Sequence, residues 1–507
     1  MFKQYVVSIF HLFLLQGIII FIEKSCKKTH MIKPKTNQNQ LTFCSTFEEV
    51  LDKKHSLYVL ANKINWKLFE DEFSKYYHKT MGRPAKPIRM MVGLLILKHL
   101  RNLSDESVVE QCGENSYYQY FCGEEKFVSH PPCDASEFVH FRKRIGKKGT
   151  ELILKESIRV ASEIMSSRKK TRSNNKNNSG NNNHKIRKDE ILDKDVIIDT
   201  TVQEKNITYP TDDKLYKKII KKCVEISEKE SVELRQNYKR TVKKLSYQQR
   251  FKKSKKQRKL ALKASRRIKT IAGRLVRDLE RKLSPGQMEK YELEIELYKK
   301  VLRQKREDKN KIYSLHEPQT ECISKGKEHK KYEFGKKVSI IIGRKTGIIL
   351  GALAMEKNDY DGHTLPEALG QFEKLNSYRP NRAVVDLGYR GTDKVEGTSI
   401  VRPESGKGKS KYVRRKMRLD HRKRAGIEGK ISHLKNDYRM GRNYYKGIKG
   451  DSINVLLASA SMNFKLWINK YKRGLKYFCL NLLITIKAIF EGLIFIPERK
   501  LIPKMTF

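Results

Sequence analysis

The chain has 507 residues, too many for one small core and enough for two or three domains. Lys and Arg number 109 against 57 Asp and Glu, a net charge of +52, which argues against a cationic partner and for a polyanion: nucleic acid first, an anionic membrane surface or a ribosomal RNA scaffold second. The eight cysteines are scattered singly, without a CxxC pair or a Cys/His cluster of zinc spacing, so neither a disulfide framework nor a zinc module is expected and the thiols are read as free in a reducing compartment.

In chain order, residues 1–42 read as an N-terminal extension. Its apolar run from about Val6 to Ile22 is at the short limit for a membrane span. Glu23, Lys24 and Ser25 follow at once where a signal peptide needs small residues for cleavage. The favoured expectation is that Met31 is the true start and that the first thirty residues are upstream translation; a membrane anchor is the alternative.

Residues 43–165 predict a helical domain for DNA binding or assembly. SLYVLANKINWKLFEDEF and RMMVGLLILKHL have helical apolar spacing, and Ser104 is placed to cap the next helix. The aromatic cluster Tyr117, Tyr118, Tyr120 and Phe121 is read as core rather than as a base-stacking platform. Arg142, Lys143 and Arg144 fall on a short helix, either as a solvated face or as phosphate contacts. Residues 166–190 are Asn-, Ser- and Lys-rich without apolar period, so a disordered linker is expected there.

A second domain is predicted over 191–471. It opens with the strand VIIDTTVQEKNITY, and a charged helical insertion, 212–310, interrupts it with a break at Ser284-Pro285-Gly286. Two β-branched runs flank Arg344-Lys345-Thr346-Gly347, a hairpin signal. Residues 362–375 read as a helix, 382–389 as a central strand, 398–403 as another strand and 451–471 as a closing amphipathic helix. The apolar stretch in 472–507 is broken by Asn481, Lys487 and Glu491, which favours an amphipathic tail over a membrane span.

Three carboxylates organise this domain. Asp199 ends the apolar run VIID and Asp386 ends AVVD, each read as an acid at the end of a buried strand, a common site position in α/β folds. The third is in HRKRAGIEGKISHLK, residues 421–435. On a helix its His421, Arg424, Glu428 and Lys435 share one stripe, while Ile427, Ile431 and Leu434 form an apolar stripe beside it. An ordinary solvated face explains that pattern in an arbitrary helix. Together with Asp199 and Asp386, however, Glu428 suits a site for two divalent metals doing phosphoryl transfer.

Several blocks then resemble bacterial insertion-sequence transposases of the DDE type, in the insertion sequence five family. GRPAKPIRMMVGLLILKHL with LSDESVVEQCGENSYYQYFCGE is similar to that family's N-terminal domain. TTVQEKNITYPTD, YSLHEPQTECISKGKEHKKYEFGKKV, NDYDGHTL, VVDLGYRG and HRKRAGIEGKISHLKNDYRMGRN are similar to its catalytic blocks, so the resemblance runs from about 45 to 465. It implies an α/β, ribonuclease-H-like catalytic domain after an all-α N-terminal domain. It also implies Asp199, Asp386 and Glu428 as catalytic metal ligands, with two Mg2+ ions as cofactors and Mn2+ as a substitute. The related signature Tyr-x2-Arg-x3-Glu-x6-Lys is met at Arg424, Glu428 and Lys435, with His421 where Tyr is usual. His421, Arg424, Lys435, Arg142, Lys143 and Arg144 are the expected DNA contacts. The implied partners are terminal inverted repeats, target DNA and further copies of the chain, in the bacterial cytoplasm at the nucleoid and without a stable membrane partner. The competing readings are a catalytically silent DNA-binding relative and a structure-specific nuclease of the same fold.

Overall fold

The computed structural model describes residues 46–78, 84–174, 193–305, 307–324, 330–391, 393–403 and 408–494. The N-terminal extension and residues 175–190 of the expected linker lie outside them.

The N-terminal region is helical: α1 (Phe47–Val50), α2 (Ser56–Ala61), α3 (Trp66–Phe73), α4 (Ile88–Leu100), α5 (Asp105–Glu114), α6 (Ser116–Cys122) and α7 (Ala135–Asn174), the last broken at Gly146. Local chemistry sets the boundaries. Asn65 accepts a hydrogen bond from Leu68 N and starts α3, and Ser104 accepts one of 3.0 Å from Ser107 N and starts α5. Helix α4 is apolar around most of its circumference and is buried from Met90 to Leu100, as such a helix must be. Tyr118, Tyr120 and Phe121 are buried as core.

The second region holds a mixed sheet of β1 (Asp195–Lys205), β2 (Glu321–Ser324), β3 (Tyr332–Gly343), β4 (Ile349–Ala354), β5 (Arg382–Val384), β6 (Lys394–Val395), β7 (Thr398–Val401) and β8 (Arg442–Asn443). The strand order is β2-β3-β1-β5-β7-β6, with β4 also on β3 and β8 on β1. β1 is central, antiparallel to β3 and parallel to β5. Strands with neighbours on both sides and covered faces read as continuous apolar runs, and VII at the start of β1 is such a run. The β3–β4 hairpin forms where the sequence signals it: Gly347 has φ +68, and the Asp193 carboxylate accepts hydrogen bonds from Lys345 N and Thr346 N.

Between β1 and β2 lie α8 (Asp212–Lys229), α9 (Lys239–Gln249), α10 (Arg258–Lys282) and α11 (Pro285–Arg303). Ser284 caps α11 and Pro285 opens it, so the break falls where predicted. These helices enclose an apolar core of their own, built from Ile219, Cys223, Ile268, Leu275, Ile295 and Val301 among others. They are therefore a packed subdomain rather than solvated arms.

Helices α12 (Leu365–Asn376), α13 (Lys411–Asp437) and α14 (Gly447–Ile494) complete the fold. α14 is one helix of 48 residues and runs through the predicted closing helix and into the predicted tail as far as Ile494. No helix among the described residues is long and apolar enough to cross a membrane. From Asp451 to Ser461 α14 is buried on every side, and it serves two regions at once. Asn463 donates to and accepts from the backbone of Ile349, covering the free edge of β4, and donates to Ser157 of α7. Ser461 donates to the carbonyl of Ile96 in α4.

The N-terminal helices and the sheet consequently share a single apolar core: Leu94, Phe121, Phe138 and Ile153 belong to the same cluster as Ile198, Ile340, Leu456 and Phe464. An independent N-terminal domain on a linker beginning at 166 is not what the structure shows. α7 continues to Asn174, and the chain from Thr46 onward is one compact unit. The apolar faces of α4 and α7 need α14 to cover them, and α14 lies roughly 300 residues further along the chain.

Candidate active site

Strand β1 is buried along most of its length, but Asp199 and the next residue, Thr200, are half-buried. Ile197 is level with Val384 of β5 in the parallel register. Asp199 and Asp386 each stand two residues further on, which brings them side by side. Asp386 follows the end of β5, but Asp199 lies within β1, which continues to Lys205, so the expectation that Asp199 ends its strand is corrected. The Asp386 carboxylate accepts a hydrogen bond from Leu387 N at 2.7 Å and leaves 47% of its side chain in solvent.

Glu428 arrives from α13. Ile427 and Leu434 of that helix are fully buried, which turns the Glu428 face outward beside the sheet. Arg424 lies between the carboxylates, its Nη2 at 3.6 Å from Asp386 Oδ1 and 3.5 Å from Glu428 Oε1. Asp199, Asp386 and Glu428 thus belong to one neighbourhood. Lys435 is seven residues on, about 10 Å along the same face, and its carbonyl accepts a hydrogen bond from Gly441 N. A Cβ at Gly441 would meet that oxygen at 2.6 Å, so the chain can reverse there only on glycine. His421 is half-buried on the same stripe, one long step before Arg424.

Sequence reasoning passed over two residues. Asp361, in the block NDYDGHTL, accepts hydrogen bonds from Thr200 Oγ1 at 2.9 Å and Lys337 Nζ at 3.0 Å, which brings a fourth carboxylate beside Asp199. Tyr389 is buried among these acids. Burial first, then the charges of Asp199, Asp361 and Asp386, push its phenol well above the ordinary value, so it stays protonated. In the sequence Asp361 is indistinguishable from a turn acid ahead of a helix; only the closeness of two distant segments marks it.

Arg142 is a correction. It is buried, its two guanidinium nitrogens each 2.7 Å from one Asp105 oxygen, and it stacks over Tyr445 at 4.4 Å. Its charge is committed inside the protein, so it is not a phosphate contact. Lys143 and Arg144 are exposed, the latter resting on Tyr77.

The donor set is all carboxylate, which suits a hard divalent cation. Among the described residues no three carboxylate, imidazole or thiol groups stand close enough to enclose an ion as placed. As placed, Arg424 lies between Asp386 and Glu428, and Lys337 pairs with Asp361. The residues fit a cation in chemistry and in strand placement, and a cation bound there would share Asp386 and Glu428 with Arg424.

A transposase domain model, DUF772, matches residues 45–144, and a transposase DDE domain model matches residues 303–464. The chain therefore carries two transposase domains, the second of the DDE type. The first model takes in α1 to α6 and the start of α7; the second takes in Asp361, Asp386 and Glu428, while Asp199 lies between the two. The chain is also similar to "Uncharacterized protein ORF8 in nfe locus" of Rhizobium meliloti, 38% identical over 218 residues, which is 43% of this chain and 94% of that relative. No solved structure matches this chain.

Proposed function

We propose that this transposase, of the insertion sequence five type, binds the terminal inverted repeats of its element and catalyses metal-dependent strand cleavage and strand transfer through a ribonuclease-H-like domain. The observation that carries the reading is the pairing of Asp199 with Asp386 on adjacent parallel strands, with Glu428 joined to Asp386 through Arg424. The strand order, with the first strand between an antiparallel and a parallel neighbour, supports the fold assignment.

Asp199, Asp386 and Glu428 would hold two divalent ions, which when bound activate the attacking oxygen and stabilise the leaving one. The chain's own residues do the rest. Arg424 moves from the carboxylates to the scissile phosphate, offsetting negative charge as it builds there. Lys435, about 10 Å further along the helix face, grips a neighbouring phosphate. Tyr389 stays protonated and excludes water from behind the aspartates. The attacking oxygen is first that of water, which leaves a free 3′-OH at the element end. That hydroxyl then attacks a target phosphodiester, one P–O bond forming as another breaks, so no covalent protein intermediate is required.

The test is a set of neutral near-isosteres: Asp199→Asn, Asp386→Asn and Glu428→Gln. Each is expected to abolish cleavage of end-bearing DNA in Mg2+ while end binding persists. Cleavage at the parental rate by any of them removes that residue from the ligand set.

A further inference from the structure

Helix α13 has two halves of different character. From Asp420 onward it packs on the sheet through Asp420, Ile427 and Leu434. From Lys411 to Leu419 no residue is buried, Tyr412 is 77% exposed, and Val413 and Leu419 are exposed as well. More than two turns of helix therefore stand in solvent, with no covering element among the described residues. An ordinary amphipathic helix, such as α10, turns its cations outward because Ala261, Ile268, Leu275 and their neighbours are buried on its other side. That explanation does not apply to Lys411–Leu419, where no residue is buried and Met417 alone is half-buried.

The charge along this segment is ordered. At about 100° per residue Lys411, Arg415, Arg418 and Arg422 fall in one stripe roughly 60° wide. Asp420 is the one acid between Lys411 and Ile427, and it is buried on Arg344 and Arg382. Among the described residues none of the four cations has a carboxylate within ion-pair distance. Like charges at these spacings destabilise a helix, so an anionic partner is needed to offset them. The stripe is about 16 Å long, enough to face roughly five phosphates of one DNA strand. It ends about 9 Å before Glu428 on the same rigid rod.

We infer that Lys411, Arg415, Arg418 and Arg422 form a rail that holds the backbone of duplex DNA and leads it toward the carboxylates. This rests on the proposed action on DNA and adds to it the surface that carries the strand. The rail reads no sequence, because it contacts phosphates only. A second copy of the chain is a poorer fit, since two such stripes repel.

The test is a salt titration of binding to a fluorescein-labelled random duplex, using the full chain. The triple variant Arg415→Gln, Arg418→Gln, Arg422→Gln is expected to flatten the log–log salt slope by between about two and three units, since each phosphate neutralised adds roughly 0.9 to its steepness. Arg-to-Lys changes at the same positions should keep the parental slope. The control triple Lys259→Gln, Lys263→Gln, Arg267→Gln on α10, also exposed, should change it by less than one unit. An unchanged slope in the rail variant, or an equal flattening in the control, overturns the inference while leaving the DNA reading intact. A parental chain that binds no duplex at any salt overturns both. Sedimentation adds one more outcome: a parent dimeric without DNA beside a monomeric rail variant makes this face a copy–copy interface, and the inference fails.

Discussion

The carboxylate of Asp420 accepts a hydrogen bond of 3.0 Å from the guanidinium of Arg382. That contact joins α13 to the first residue of β5, and Arg344 of the hairpin binds the other oxygen of Asp420. From Arg382 the strand takes four residues to reach Asp386, about 13 Å. From Asp420 the helix takes eight residues to reach Glu428, about 12 Å. The two legs are similar in length, so we infer that the anchor at their origin helps to bring the glutamate level with the aspartate. Asp420→Ala is expected to cost roughly 2–3 kcal/mol in denaturant unfolding. That is below the 3–5 kcal/mol of a fully buried pair because both arginines keep some water. Cleavage should fall further than DNA affinity; a variant with parental cleavage would show that the anchor does not position Glu428.

Arg424 bridges Asp386 and Glu428. Arg424→Gln removes the cation proposed to face the scissile phosphate. Single-turnover cleavage should drop about a hundred- to a thousandfold, the range for losing one charge-stabilising donor. Arg424→Lys, which keeps the charge without the fork, should fall between the two. Parental cleavage in Arg424→Gln would reduce the residue to a structural pair.

The fate of Arg142 is checked by separating stability from binding. Its partner Asp105 is held below the ordinary aspartate value: burial alone would raise it, but the hydrogen bonds and charges of Arg142 and Lys98 outweigh that. Arg142→Gln should destabilise by about 3 kcal/mol, since it leaves a largely buried charge short of a partner. The salt slope of DNA binding should stay parental. A shallower slope would restore Arg142 as a phosphate contact.

His99 predicts an acid-sensitive seam between the N-terminal helices and α13. It is fully buried, and its Nδ1–H donates to the carbonyl of Tyr438 at 3.1 Å. Burial, with the charge of Lys98, lowers its pKa from 6.5 to about 3. The unfolded chain therefore binds a proton between those values that the folded chain does not. Stability is lost as pH falls from 6.5 toward 3, with a slope approaching about 1.4 kcal/mol per pH unit. Unfolding at stepped pH should show that slope in the parent and lose it in His99→Asn, after allowance for other groups. An identical slope in both would remove His99 as its source.

The shared core also predicts that residues 46–174 do not fold alone. Helices α4 and α7 leave apolar faces that α14 covers in the whole chain, with Ser461 on Ile96 and Asn463 on Ser157. The fragment should unfold without a cooperative transition; a sharp two-state melt would restore an autonomous N-terminal domain.

Much of this architecture is local and was legible in the order of residues. Ser104 caps a helix because its hydroxyl meets the nearby Ser107 N–H, and Ser284-Pro285 ends one helix and opens another. The β3–β4 hairpin turns at Gly347, and the carboxylates Asp199 and Asp386 close apolar runs on strands that prove to be neighbours. Each of these signals acts over a few residues, where propensity and hydrogen bonding decide the outcome. Distance in sequence hid the rest. Arg142 looked like one more cation in a basic run until Asp105 and Tyr445 enclosed it. Asp361 became part of the site only when Thr200, 161 residues away, donated to it. The single core formed because α14 fills the space between the N-terminal helices and β4. Burial of a charge and closure of a core depend on which distant surfaces meet, and periodicity along the chain carries no record of that meeting.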